Sequence, residues 1–145
     1  MSVHSSSGTL RNMATLNDPE VQKLLSEPNH AVVSTINPDG SVLSTIVWIS
    51  DDDGTVAVNS AEGRKWPTNL ERDPRITALV YEDGNPYNYV EIRGTASGST
   101  EGADEHINAL AKKYINQDEY PFRQPGEQRV KFVIAPDHIR HQKQG

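Results

Sequence analysis

Asn59-Ser60-Ala61-Glu62-Gly63-Arg64-Lys65-Trp66-Pro67-Thr68-Asn69-Leu70-Glu71-Arg72-Asp73-Pro74 is the stretch that governs the reading of this chain. It reads as the end of a strand, a turn of small residues, and a short helix from Arg64 to Glu71 that stops at Asp73-Pro74. The helix opens on two cations, at the end of the macrodipole that disfavours them by roughly 0.3–1 kcal/mol each. No acid follows Arg64 or Lys65 at the next turn to relieve this. An anion would relieve it, because the free N–H groups of a helix start already favour negative charge. Two readings stand: a phosphate site, or an exposed helix start with Glu62 as counter-charge.

Outward from this block, the sequence alternates strands and tight turns. Upstream, Asn17-Asp18-Pro19-Glu20 predicts a helix start, with Asn17 as cap, Glu20 at the capping-box position and Leu16 against Val21 as a staple. That helix carries Val21, Leu24 and Leu25 and ends before Pro28. His30 to Asn37 reads as a strand, Pro38-Asp39-Gly40 as a turn, and Ser41 to Ser50 as a single second strand. Asp51-Asp52-Asp53-Gly54 turns into a third strand from Thr55 to Ser60, giving an antiparallel meander. Beyond the helix, Arg75 to Glu82 is a fourth strand. Tyr87 to Ser97 is a fifth, with Gly94 as a bend or bulge. Ile107, Leu110, Ala111 and Tyr114 share one face of a helix from Ala103 to Tyr114. A polar loop, Asn116 to Glu127, leads to a sixth strand from Arg129 to Ala135. Pro136 breaks it before a short seventh, Asp137 to His141. The expected fold is mostly β: a six- to seven-stranded antiparallel barrel with two or three peripheral helices. Residues 1–15 are expected to be a flexible tail and residues 16–145 the single domain.

Composition narrows the function classes. The 145 residues carry a net charge of −6, which argues against binding that relies on a basic field, as for nucleic acid or acidic membranes. There is no cysteine, which excludes disulfides, thiol catalysis and thiolate metal sites. No apolar run approaches the roughly 18–20 residues of a membrane span. The first eight residues do not have the pattern of a signal peptide, so a cytoplasmic protein is expected. Only 34% of residues are hydrophobic, which leaves a role for a dimer interface in burying further surface.

The order of elements and the motif together resemble the split β-barrel flavin-binding superfamily of pyridoxamine 5′-phosphate oxidase. Within it, the chain is most similar to the actinobacterial deazaflavin (F420)-dependent reductases of the B group. The resemblance rests on Ala31 to Thr35 followed by Asp39-Gly40, Leu43 to Trp48, Asn59 to Pro74, and Glu91-Ile92-Arg93-Gly94-Thr95-Ala96. It implies a homodimer with the cofactor in a groove between subunits. It implies Arg64 and Lys65 on the cofactor phosphate, Asn59, Ser60 and Ala61 at the same end, and Asn69 bracing the turn or reaching the phosphate. Thr45, Ile46, Val47 and Trp48 would border the ring, and Tyr87 and Tyr89 would come from the partner. The second strand departs from relatives that use flavin mononucleotide (FMN). Ser44-Thr45-Ile46-Val47-Trp48 has no Lys or Arg, which favours F420 over FMN. Trp66-Pro67 is unusual inside a helix, since proline is tolerated only in the first turn.

The resemblance implies an F420-dependent oxidoreductase that passes a hydride to a conjugated small-molecule acceptor. A carrier that binds F420 or a flavin without turnover, and an FMN oxidoreductase, are the alternatives. No catalytic side chain is identified, since the cofactor brings the hydride chemistry. Trp48 reads equally as a stacking residue or as core, and Tyr87 with Tyr89 as a cofactor wall or a dimer contact. Arg93 reads as a surface ion pair or a groove cation. His30 and His106 read as ordinary strand-edge and helix-surface residues. His138 and His141 lie three apart on an expected strand, hence on opposite faces, and no metal is expected. Asp51-Asp52-Asp53-Gly54 lacks the closing Glu of a calcium loop.

Overall fold

The computed structural model describes residues 14–144. Its single sheet has seven antiparallel strands in the order β2-β1-β5-β6-β7-β4-β3. The strands are β1 (Ala31–Ile36), β2 (Val42–Val47), β3 (Ile49–Asp51), β4 (Val56–Ala61), β5 (Arg75–Glu82), β6 (Asn85–Ser99) and β7 (Arg129–Lys143). Three helices lie among the described residues: α1 (Pro19–Ser26), α2 (Lys65–Arg72) and α3 (Ala103–Ile115).

One residue explains the closure. The outermost strands of the order, β2 and β3, are consecutive in the chain and separated by Trp48 alone. A flat sheet would hold its edges some 30 Å apart at the usual strand spacing of about 4.8 Å. A single residue spans at most about 3.6 Å. The sheet must therefore curl until its edges meet at Trp48, and because β2 and β3 do not pair, the barrel is split there. The sequence reading of Ser41 to Ser50 as one strand is corrected at this point, and so is the simple meander. The β1–β2 and β3–β4 hairpins lie at opposite edges of the sheet rather than side by side.

Inward residues fill the barrel: Val33, Ile49, Val58, Val80, Ile92 and Ile134 are all fully buried. Strand β4 is buried on both faces. Its outer face lies under α3, whose Ala103, Ile107, Leu110 and Ala111 are buried. Helix α1 closes one end of the barrel with Val21, Leu24 and Leu25. Its N-cap is Asp18 rather than Asn17, and the Asp18 carboxylate accepts from Thr15 N–H and Oγ1 instead of capping the helix. Of the expected tail, residues 1–13 lie outside the described residues, and Ala14 N–H donates to Ile139 O at 3.0 Å.

Strand β7 runs unbroken through Pro136, against the expected division into two strands. Pro136 is accommodated because β6 and β7 shift register opposite it, between Arg93 and Gly94. Gly94 belongs there for steric reasons: a Cβ would sit 2.0 Å from Ala135 O. The turn at Pro38-Asp39-Gly40 also follows the sequence, with Gly40 at φ +86° and its N–H donating to Asn37 O.

Candidate functional site

The turn Glu62-Gly63 leaves β4 and delivers α2 beside the split. Gly63 takes φ +89°, where L side chains are strained. Arg64 is then the N-cap of α2 and Lys65 its first residue, with Pro67 still in the first turn. Helix α2 has no acid in that turn. Its counter-charge comes from far along the chain: Arg64 Nη2 meets Glu127 Oε1 at 3.0 Å. Glu62, the counter-charge of the exposed-helix alternative, is itself exposed, and Arg64 pairs with Glu127 instead.

A cavity of about 310 Å³ opens between the end of β2, the end of β4, α3 and the 116–127 loop. Thr45, Ile46, Val47, Trp48, Asn59, Ser60 and Arg64 all line it. These are seven of the residues singled out from sequence. Strand β2 is a sheet edge with only β1 beside it, so alternate backbone N–H and C=O groups there face away from the ladder. Trp48 both packs and lines: its ring lies on Tyr114 and meets Tyr120 edge-on, with centroids 5.3 and 6.1 Å away.

The other predicted residues lie elsewhere. Ala61 is buried below the turn, and its carbonyl accepts from Arg64 N–H. Lys65 and Asn69 line a second cavity, of about 550 Å³, on the far side of the α2 start with Asn37, Thr68 and Arg72. Arg64 and Lys65 thus diverge into two neighbouring spaces. Asn69 is buried and donates to Thr35 Oγ1 and Asn37 Oδ1 at 3.1 and 3.0 Å, which braces the turn after β1. Tyr87 is exposed, and Tyr89 lies beneath the Arg140 guanidinium. Neither borders either cavity within one chain.

Sequence reasoning missed the polar floor of the first cavity. Arg129, its side chain only 2% exposed, donates Nε–H to Asn59 Oδ1 at 2.9 Å and Nη1–H to Glu127 Oε2 at 3.1 Å. Glu127 therefore bridges Arg129 and Arg64, one oxygen to each. Asn59 gives its amide hydrogens to Ala103 O and His106 Nδ1, both at 3.0 Å. The orientation of that amide is fixed, because Arg129 only donates and Ala103 O only accepts. His106 Nδ1 must then accept, so the ring is neutral with its proton on Nε2, donating to Ser50 Oγ at 2.9 Å. Burial, reinforced by Lys131, pushes this imidazole down to about 4. His106 is consequently an inward-facing member of the network, not the surface residue expected from sequence. The continuous chain Ser50–His106–Asn59–Arg129–Glu127–Arg64 links the barrel seam to the cavity.

A second polar cluster holds the seam from outside. Tyr114 Oη donates to Asn29 O at 2.6 Å and accepts from Ile49 N–H at 3.2 Å. Burial raises this phenol to about 12. Lys113 Nζ donates to Leu25 O and Ile49 O, and burial lowers its ammonium to about 8. Among the described residues no group of three His, Cys, Asp or Glu could hold a metal. His141 Nε2–H donates to Asn88 Oδ1 at 2.8 Å, and the Asn88 amide in turn donates to Glu82.

Residues 18–143 match the pyridoxamine 5′-phosphate oxidase family, and the chain belongs to that family of split-barrel proteins with a flavin-type cofactor-binding fold. Among solved structures it is similar to an F420 reductase, with 23% identity and a TM-score of 0.70 over 81% of this chain and 94% of that one. It is also similar to a conserved hypothetical protein, Rv2991, from Mycobacterium tuberculosis (22%, TM-score 0.73, 91% and 87% covered). General stress protein 26 from Bacillus anthracis is a third (21%, TM-score 0.64, 85% and 91% covered). No curated protein matches the sequence. At these identities the structural likenesses establish the fold alone.

Proposed function

We propose that the protein is an F420-dependent oxidoreductase that passes a hydride from the reduced deazaflavin to a conjugated small-molecule acceptor. The observation that carries this reading is the convergence of Thr45–Trp48, Asn59, Ser60 and Arg64 on one cavity beside the split. The residues fit an anionic cofactor with a flat ring. Arg64 and Lys65 at the start of α2 supply charge for a phosphate, and the open edge of β2 supplies backbone donors and acceptors for ring heteroatoms. The same β2 carries no cation between Ser44 and Trp48, which supports F420 over FMN.

When bound, the deazaflavin supplies the hydride; the chain's own residues bind, orient and exclude water. Trp48, Tyr120 and Phe122 form the aromatic side of the cavity. Arg64 keeps one face towards the cavity while Glu127 fixes its angle. The site is completed in this reading by a second copy of the chain. The outer face of β2-β1-β5 supports that: Val42 and Ile46 are 64% and 65% exposed, with Val32, Ile36 and Leu79 beside them across the ladders. A patch of this kind on a small domain marks an interaction face. Ile46 belongs both to this face and to the cavity, so dimerisation would bring partner residues to the cavity mouth.

Hydride transfer from chemically reduced F420 across a panel of conjugated acceptors, followed by loss of the reduced-cofactor signal, tests turnover. Binding of F420 with no transfer to any acceptor would replace the enzyme reading with that of a carrier.

A further inference from the structure

Of the ionised groups in the cavity wall, Arg129 is the one that the phosphate reading leaves without a task. It sits at the first position of β7, opposite Ala61, and its burial there is costly unless its charge is met. Glu127 meets part of it. That single carboxylate, itself 5% exposed, is shared with Arg64, so two guanidiniums face one negative group. The Arg129 plane is held on three sides: Asn59 at Nε, Glu127 at Nη1, and the Tyr120 ring with Cζ 4.9 Å from its centroid. Among the described residues no hydrogen bond engages Nη2. No buried side-chain N or O atom among the described residues is sealed without a partner, so Nη2 keeps some access to solvent, and Arg129 is part of the cavity wall. A pre-set, desolvated guanidinium with a free donor edge suits an oxyanion, and its hydrogen bonds need no reorganisation on binding.

We infer that Arg129, backed by Asn59 and balanced by Glu127, is an anion-recognition point for the acceptor, which is therefore a planar conjugated molecule bearing a carboxylate. The conjugated character agrees with the aromatic rings of Trp48, Tyr120 and Phe122 that border the same space. This rests on the oxidoreductase reading for the word acceptor, while the anion site stands on the geometry alone. It separates two tasks. Lys65, in the neighbouring cavity, stays with the cofactor phosphate. Arg129 selects what the cofactor reduces.

Calorimetric titration of the full chain with cinnamate and with its neutral analogue cinnamamide tests this without any turnover. The wild type should bind cinnamate about tenfold or more tightly than the amide, the range expected for a charge-assisted bond. R129Q should abolish that preference, and the exposed-charge control K112Q should retain it. A wild type without preference, or a preference that survives R129Q, overturns the proposal. If R129Q does not fold, E127Q carries the test. It keeps size and one of the two acceptor oxygens but removes the competing negative charge, so the cinnamate preference must rise; no change or a fall overturns the proposal. A parallel F420 titration separates the sources of the anion. If R129Q weakens F420 as much as cinnamate, the oxyanion belongs to the cofactor and the acceptor assignment is wrong. If the wild type shows the cinnamate preference but does not bind F420, the cofactor reading fails and the anion site stands.

Discussion

Trp48 lies flat on Tyr114, with ring centroids 5.3 Å apart and planes 5° from parallel. The contact joins the one-residue link between β2 and β3 to the last turn of α3, and so clamps the barrel at its split. Tyr114 Oη adds bonds to the segment that leads into β1 and to the first residue of β3, at Asn29 O and Ile49 N–H. Tyr114→Phe keeps the stack and removes both bonds. It should cost about 1–3 kcal/mol, because two partly buried backbone groups lose a partner. Urea unfolding measures this; wild-type stability in the variant would show that the hydroxyl is not part of the clamp.

The His106 imidazole, held near 4 by burial, sets a pH dependence. Its folded pKa lies below the ordinary 6.5, so the unfolded chain binds the extra proton first. The stabilisation is complete above about pH 6.5 and is lost as pH falls towards 4. A shift of this size corresponds to at most about 3 kcal/mol. The unfolding midpoint of the wild type should therefore fall more steeply over this window than that of His106→Gln. Parallel profiles would contradict the neutral, Nε2-protonated ring.

Two glycines should respond differently to alanine. At Gly94 the new Cβ meets Ala135 O at 2.0 Å, a backbone atom in the longest ladder of the sheet. Gly94→Ala should destabilise by about 3 kcal/mol or more, beyond ordinary overpacking. At Gly63 the space is open and only the φ of +89° resists, so Gly63→Ala should cost about 1–2 kcal/mol. Equal losses at the two sites would contradict this account of the β6–β7 bulge.

The outer face of β2 should be buried between two copies of the chain. Ile46→Asp places a charge in the middle of that face and should give a monomer by sedimentation at micromolar concentration, with F420 affinity reduced. A variant that remains dimeric would move the interface elsewhere.

Much of this was legible in the sequence. Arg75 to Glu82 alternates cleanly and is β5 to the residue. Helix α3 and the bend at Gly94 follow from periodicity and from a glycine in a strand. The split at Trp48 was not legible, because Ser41 to Ser50 is continuously strand-forming and only the closure of the sheet interrupts it. Pro136 misled in the opposite sense, since a bulge in its own strand, where the pairing with β6 skips Asp137, absorbs it. Arg129 and His106 were hidden for a different reason. An arginine beside Val130 reads as the solvent side of a strand, and His106 as the polar side of a helix. Both are buried because β4 and β7 are covered by α3 and the 116–127 loop, and Asn59 meets Arg129 from 70 residues away. The polar loop ending in Glu127-Gln128-Arg129, two opposite charges leading into a strand, was the signal available. The paired cations Arg64-Lys65 stand out in the sequence, but their divergence does not, because it depends on the N-cap position of Arg64.

In the proposed reading F420 lies beside the split, with its phosphate held by the two cations that open α2, Arg64 from one cavity and Lys65 from the next. Side-by-side fluorescence titrations of F420 and FMN, on the wild type and on Arg64→Ala with Lys65→Ala, test it most directly. The wild type should bind F420 more tightly than FMN. The double variant should stay folded and bind F420 about tenfold or more weakly, the loss expected for charged hydrogen bonds, with a flatter salt dependence. Tighter binding of FMN by the wild type, or unchanged F420 affinity and salt response in the double variant, would contradict the account.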